Sequence, residues 1–237
     1  MKKLLVLLGF MLVSLNTQAI LLTDLLNGQT ITAGDKLFDQ WEVLFEDTSD
    51  GHLIDTDNIE VTALHDGGLD PGPGLHFEIL NDEFMVEGDD FWSYIDFMFG
   101  FRVTVLDPNL LIKDNSLYLT GATLINPSSL TSVFIHEEIY EDGSLNNWID
   151  DKDVEFSRIY DLQGNLESQT TKTFDAVEFD PRRSIYVTKN ILVEAEAVGE
   201  FARLESFEQR FSQIPEPGSL LLLGLGLFAL RLGRKHS

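Results

Sequence analysis

The sequence contains no cysteine. A thiol nucleophile, a thiolate metal site and a disulfide framework are therefore excluded. Small exported domains often depend on disulfides because their hydrophobic cores are small. A chain of 237 residues can bury enough apolar surface without them. The absence of cysteine is thus compatible with export.

Basic residues are scarce, with 16 Lys and Arg against 40 Asp and Glu. Five of the basic residues lie within residues 1–19 and 218–237, which contain no acidic residue. Residues 20–217 therefore carry 11 basic and 40 acidic side chains, a net charge of −29. Phosphate binding needs Lys and Arg, so this composition excludes nucleic acid as a partner. It predicts a soluble body that avoids anionic membrane surfaces.

Motifs of catalysis are absent from the sequence. It has no G-x-S-x-G elbow, no glycine-rich phosphate loop and no H-E-x-x-H, the patterns that place a nucleophile, a phosphate or a zinc ion. Oxygen ligands are concentrated in the acidic stretches 47–58 and 150–155. Within the first stretch, Asp50, Asp55 and Asp57 are candidate calcium ligands, although their spacing does not match a calcium loop. We predict no catalytic residue, no metal centre and no cofactor, with calcium as the alternative.

Long hydrophobic runs are also missing, and the two short ones lie at the chain ends. The N-terminal run spans residues 4–15, after Lys2 and Lys3 and before a short polar stretch that ends at Ala19. A membrane span needs roughly 20 apolar residues, so this run is too short for one. A basic start, a short apolar run and a small residue are typical of a signal peptide. We predict cleavage between Ala19 and Ile20.

Between the two ends, apolar and polar residues alternate with a period of two. The alternating segments are 41–45, 58–64, 75–79, 101–105, 131–135, 176–179, 185–187 and 191–195. Gly, Pro, Asn and Asp clusters separate them, as expected for turns. The pattern predicts one mainly β domain, an antiparallel β-sandwich of jelly-roll type, over residues 20–212. The segment 201–211 fits a helix or a final strand, and we favour the strand.

The C-terminal segment 213–237 has three ordered parts. The triplet Pro215-Glu216-Pro217 comes first, within a short stiff linker; an apolar helix over residues 219–230 is predicted next, and the basic tip Arg231, Arg234 and Lys235 follows. At 1.5 Å per residue the helix is shorter than a bilayer core, which favours temporary retention over permanent anchoring. The basic tip is expected to stay in the cytoplasm.

This order resembles the PEP-CTERM sorting signal of Gram-negative bacteria. The resemblance implies transient inner-membrane insertion, processing by an exosortase-type membrane protease near residues 215–217, and transfer to the cell surface or an exopolysaccharide matrix. The body resembles the β-rich passengers that carry such tails.

For the body, three functions stay open. The leading one is a non-catalytic structural or interaction role at the surface or in a biofilm matrix. The alternative is a carbohydrate-binding module, for which Trp148, with its polar neighbours, is the candidate sugar-stacking residue. Aromatic side chains more often fill cores. A secreted hydrolase or an ice-binding protein has less support, because nucleophile motifs and Thr-x-Thr arrays are sparse or missing.

Overall fold

The computed structural model describes residues 19–216 and Gly218. Within these residues almost every element is a strand, apart from one helix of five residues and a 3₁₀ turn at Thr56–Asn58. The elements are β1 (Ile20–Leu21), α1 (Leu22–Leu26), β2 (Ile31–Ala33), β3 (Lys36–Thr48), β4 (Ile59–Leu64), β5 (Gly74–Ile79), β6 (Met85–Glu87), β7 (Ser93–Val105), β8 (Leu110–Ile125), β9 (Thr131–Tyr140), β10 (Trp148–Tyr160), β11 (Leu166–Lys172), β12 (Phe174–Arg182), β13 (Ser184–Ala195) and β14 (Phe201–Pro215).

The strands form two antiparallel sheets. In the first sheet the order is β1-β4-β5-β14-β8-β12, with β6 also paired to β14. In the second sheet the order is β11-β10-β9-β13-β7-β3-β2. The last strand, β14, therefore lies in the interior of the first sheet, where it joins β5 to β8. The predicted antiparallel β-sandwich is confirmed.

Side-chain alternation explains why these segments are strands. Along β7 the residues Phe97, Phe99, Phe101 and Val103 are at most 1% exposed, while the residues between them point mostly to the outer face. A period of two places one face of a strand in the core and the other towards solvent. The alternation that predicts strands in the sequence is thus the alternation that builds the core.

The core between the sheets is rich in aromatic rings. Trp41 stacks on Phe101 with ring centroids 4.4 Å apart, and Phe77 of the opposite sheet stacks on Phe207 at 4.4 Å. Trp41 and Phe77 also meet across the sheets at 6.4 Å. Each buried aromatic ring removes a large apolar area from water, so these rings are a main source of stability in a domain without disulfides.

The C-terminal part of the fold differs from the sequence interpretation in one respect. The segment 201–211 is a strand, as favoured, but β14 continues to Pro215, so residues 213–215 belong to the sandwich and not to a linker. Ladder pairing with β8 extends the strand to Ile214 and Pro215. The apolar run 4–15 of the predicted signal peptide, expected to be helical, and the predicted helix over 219–230 lie outside the described residues. Among the described residues, no helix has both the length and the apolar character that crossing a membrane requires.

Candidate functional site

The last strand of the sandwich runs directly into the Pro-Glu-Pro triplet. Pro215 ends β14 and pairs with Leu110 of β8. The Glu216 backbone N–H donates to the carbonyl of Asn109 at 2.6 Å, and Glu216 itself is exposed. Proline is tolerated at such a strand end because its missing N–H is not needed in the ladder. The first two residues of the triplet are therefore fixed to the end of the sandwich.

Gln213, two residues before the triplet, is anchored through both its backbone and its side chain. Its N–H donates to the carbonyl of Leu69 at 2.8 Å, and its side-chain carbonyl accepts from Lys36. Lys36 is fully buried and also donates to Asp35 at 2.9 Å. Burial lowers the pKa of Lys36, and Asp35 offsets part of this effect. The sandwich and the triplet are thus joined without a flexible spacer.

The remaining residues of the predicted sorting segment lie outside the described part of the chain. These are Pro217, the apolar run 219–230 and the basic tip Arg231, Arg234 and Lys235. Their roles in membrane retention stay predictions from the sequence.

At the other end, the predicted cleavage point lies beside structured residues. Ile20 pairs with Val61 in the edge strand β1, and it is half-buried together with Ala19. Leu22 and Leu25 of α1 are fully buried in the core. Residues immediately after the predicted cleavage point therefore belong to the sandwich, and a mature chain that begins at Ile20 keeps all of them.

The three tryptophans occupy different environments. Trp41 is 6% exposed and belongs to the core, whereas Trp92 and Trp148 are 52% and 54% exposed. Trp148 begins β10 and pairs with Tyr140 of β9. Trp148, the candidate sugar-stacking residue, is therefore about half exposed. Trp92 is the second exposed tryptophan, and it contacts a tyrosine ring and a carboxylate.

Trp92 and Tyr94 form an exposed aromatic pair, here called the Trp92–Tyr94 pair. Their ring centroids are 4.5 Å apart. The indole N–H of Trp92 donates to Glu194 at 2.8 Å, and the Tyr94 hydroxyl donates to Asp47 at 2.8 Å. The bond to Asp47 is the main cause of a raised Tyr94 pKa, so this hydroxyl stays protonated. These two hydrogen bonds hold both rings in fixed orientations, and the Trp92 ring is half exposed.

A surface depression of about 300 Å³ borders this pair. Tyr94 forms part of its lining, together with Asp50, His52, Glu87 and Asp89. Next to it, Phe91 is 79% exposed. Fixed aromatic faces beside carboxylate acceptors provide stacking surface and hydrogen-bond acceptors in one place, the combination that a polyhydroxyl ligand needs.

The candidate calcium ligands are engaged in local contacts. Asp50 bonds to the imidazole Nδ1 of His52 at 2.5 Å, and its pKa is lowered mainly by that bond. Asp55 accepts from the Asp57 N–H at 3.1 Å and caps the 3₁₀ turn. Among residues 19–216, carboxylates and imidazoles form no group of three or more that could hold a metal ion.

The second acidic stretch, 150–155, is part of strand β10 rather than a loop. Its residues pair with Ile139 to Phe134 of β9. Alternate side chains therefore point to opposite faces, which prevents them from wrapping around a cation. The oxygen ligands that the sequence concentrates in residues 150–155 therefore lie along a strand and not in a loop.

Sequence reasoning missed a buried polar cluster in the middle of the sandwich. Glu137, Lys152 and Lys189 are at most 1% exposed and lie on the three neighbouring strands β9, β10 and β13. Charged residues are almost never fully buried unless they are paired. The sequence shows His136-Glu137-Glu138 only as a fragment of a zinc motif, and partners far away in the chain give no local signal.

Comparison with known proteins gives weak structural overlap. TmCBM61, solved in complex with β-1,4-galactotriose, is 11% identical over 75% of this chain and 89% of its own, with a TM-score of 0.28. TmCBM27, a carbohydrate-binding module with specific mannan recognition, is 9% identical over 72% and 88%, with a TM-score of 0.27. A CBM32 module from a Clostridium perfringens family 31 glycoside hydrolase is 9% identical over 70% of this chain and 91% of its own, with a TM-score of 0.21. TM-scores this low carry no conclusion about ligands.

No curated protein matches the sequence. The C-terminal segment, in contrast, has a clear family match: residues 213–235 fit the PEP-CTERM protein-sorting motif. The match covers the triplet, the apolar run and the basic tip, and it begins at the residue that the sequence analysis predicts. The chain is therefore a β-sandwich protein that carries a PEP-CTERM protein-sorting motif, the signal of an exported protein processed by a membrane-anchored exosortase.

Proposed function

We propose that this protein is a non-catalytic component of the cell surface or of the extracellular polysaccharide matrix. The observation that carries the proposal is the PEP-CTERM motif at residues 213–235, joined directly to the last strand of the sandwich. Its tail holds the precursor in the inner membrane, an exosortase-type protease processes it near residues 215–217, and the acidic body is the part delivered. The body then serves a structural or interaction role.

The direct junction has a physical consequence for processing. A protease groove binds an extended segment, and proline favours extended backbone at low entropic cost. Pro215 is already extended in β14, but it is paired with Leu110, and Glu216 is bonded to Asn109. Access to the triplet therefore requires the last pairs of β14 to open. Terminal strand pairs open at much lower free energy than the core.

A comparison of cells with and without the exosortase tests this proposal. An epitope in an exposed turn, such as Asp142-Gly143, marks the body. In cells with the protease we expect the marked body at the surface or in the matrix fraction, and without it a larger precursor in the inner membrane. Equal distribution in both strains would contradict the sorting route.

A second candidate function is carbohydrate binding at the Trp92–Tyr94 pair. The supporting observation is a fixed, exposed ring pair beside a depression lined by carboxylates. Polysaccharide is the ligand class that the delivery route would supply. This function is compatible with the first, since a matrix protein can be retained by binding the matrix polymer.

Affinity electrophoresis through the producer's own exopolysaccharide tests this function. Trp92→Ala removes the half-exposed ring of the pair, and truncation of a central aromatic residue commonly reduces affinity by about tenfold or more. Trp148→Ala is the matched control, because Trp148 is 54% exposed and Trp92 is 52% exposed. Retardation lost only in Trp148→Ala would move the site to Trp148, and unretarded wild-type protein would exclude this function.

A further inference from the structure

Three neighbouring strands place one buried carboxylate between two buried amines. The ladder register sets Glu137 of β9 opposite Lys152 of β10 on one side and opposite Lys189 of β13 on the other. All three side chains point into the core, with exposed fractions of 0%, 1% and 0%. Lys152 bonds to Oε1 of Glu137, and Lys189 bonds to Oε2.

The opposite sheet contributes two primary amides to the same cluster. Asn115 of β8 and Gln209 of β14 are both fully buried. Asn115 Nδ2 donates to Glu137 Oε1 at 2.6 Å, and Gln209 Nε2 donates to the same oxygen at 2.8 Å. The carbonyl oxygens of both amides are buried and accept no hydrogen bond from the described residues.

The charges of this cluster do not balance. Two ammonium groups and one carboxylate leave a net positive charge inside the core, and an uncompensated buried charge is costly. Burial lowers the pKa of Lys152, and it lowers the pKa of Lys189 to about 8. Each of these two amines therefore loses its proton more readily than an exposed lysine does, and a neutral amine is a nucleophile.

We propose that the side chains of Lys152 and Asn115 join in an intramolecular isopeptide bond, with Glu137 as the catalytic proton carrier. Lys152 and Asn115 both contact Glu137 Oε1, so the amine, the amide and the proton acceptor meet at one atom. Lys152 is the better placed amine because β10 packs across from β8, whereas β13 packs across from β14. Lys189 also lies 5.4 Å above the ring of Phe207, on the β14 side of the cluster.

The reaction balances without a co-reactant. The Lys152 ammonium gives a proton to the Glu137 carboxylate, and the neutral Nζ attacks Cγ of Asn115 to form a C–N bond. Glu137 passes this proton to Nδ2, takes the second proton from Nζ, and remains protonated at the end. The Cγ–Nδ2 bond breaks, ammonia leaves, and an amide between Nζ and Cγ remains. No atom is oxidised or reduced.

This bond would join the two sheets covalently. It connects β8 of the first sheet to β10 of the second sheet and closes residues 115–152 into a loop. Disulfides perform this task in many exported domains by restricting the unfolded chain. This chain has no cysteine, so an amide cross-link supplies the same restriction by different chemistry.

Trypsin mapping of the denatured full chain tests the proposal. Between Lys113 and Lys152 the sequence contains no other Lys or Arg, so an unmodified chain gives peptide 114–152 and then peptide 153–158. Acylated Lys152 is not cleaved. We therefore expect a single peptide 114–158 whose mass is lower by about 17 Da, the mass of ammonia.

Two variants test the reaction through the masses of their tryptic peptides, a readout that is independent of any stability measurement. Asn115→Asp keeps a carboxyl carbon at the same place and should lose water, about 18 Da, in place of ammonia. Glu137→Gln keeps the size of the side chain and should give peptides 114–152 and 153–158 without mass loss. Complete cleavage after Lys152 in the wild-type chain overturns the proposal, and so does a bond formed by Lys189.

Discussion

Glu200 holds the loop between β8 and β9 and provides a quantitative test of the fold. It is 1% exposed, and its carboxylate accepts from the hydroxyls of Ser128 and Ser129 at 2.7 Å each and from that of Thr131 at 3.1 Å. The backbone N–H groups of Ser128, Ser129 and Ala197 also donate to it. Six donors thus depend on one buried acceptor group.

Glu200→Gln removes the charge and converts one acceptor oxygen into a donor. The new amide nitrogen is best placed at Oε2, because Oε1 faces two backbone N–H groups that cannot reorient. Charge-assisted bonds then become neutral ones, the Ser129 and Thr131 hydroxyls must rotate to accept, and the Ala197 N–H loses this acceptor. We expect a loss of about 2–4 kcal/mol in the free energy of unfolding. For a domain of this size the corresponding decrease in Tm is about 5–15 °C.

The effect should depend on pH. Burial raises the pKa of Glu200, but the hydrogen bonds from Ser128 and Ser129 more than offset this and place the pKa below its ordinary value of 4.5. A depressed carboxyl pKa stabilises the fold above the unfolded value, and this contribution disappears as pH falls through the folded value. The stability difference between wild type and Glu200→Gln should therefore be constant near neutral pH and narrow below about pH 4.5.

Thermal and urea unfolding of the processed protein, followed by near-UV circular dichroism, measures these quantities. Glu167→Gln is the matched control because it removes the same charge at an exposed position of β11. In a body of net charge −29, both variants relieve the same general repulsion. An unchanged or higher Tm for Glu200→Gln relative to Glu167→Gln would refute the reasoning.

Three further predictions concern a close approach, the tail anchor and the N-terminus. Gly74→Ala should abolish soluble expression, because its Cβ would lie 1.8 Å from a β14 carbonyl oxygen, whereas Gly68→Ala, with no atom within 4 Å, should express normally. Gln213→Ala should lower the free energy of unfolding by about 1–3 kcal/mol and speed proteolysis near residue 213, because buried Lys36 loses an acceptor; denaturant titration and limited proteolysis measure both. N-terminal sequencing of the exported protein should give Ile20 first, and a chain starting at Met1 would contradict signal cleavage.

The strands with clean alternation were predictable from the sequence. Segments such as 75–79 and 101–105 coincide with β5 and the end of β7. Strand β10 was missed because its buried positions include Lys152, so the apolar period is broken where the charge points inward. Strand β8 was missed for the same reason, since Asn115 and its polar neighbours are buried.

The candidate sites differ in how far apart in the sequence their residues lie, and this decides which of them could be predicted. The sorting segment was predictable because its three parts are contiguous in the sequence. The exposed pair was only partly predictable: Trp92 and Tyr94 are near neighbours, but their partners Glu194 and Asp47 are 102 and 47 residues away. The Glu137 cluster was not predictable, because its partners lie 15 to 72 residues away on other strands. Only the ladder register and the packing of the two sheets bring them together.

The central claim is that the Pro-Glu-Pro triplet is read by a processing protease. The most direct measurement is cell fractionation of a chain with Pro215→Ala and Glu216→Ala, compared with Leu222→Val, which barely changes the apolar run. The exposed position of Glu216 and the strand-end position of Pro215 leave the core of the sandwich unaffected by the double substitution. We expect the double variant to remain a membrane-bound, uncleaved precursor, and Leu222→Val to be released as the wild-type chain is. Equal release of both variants would contradict the account and would make the triplet a simple connection between a β domain and its tether.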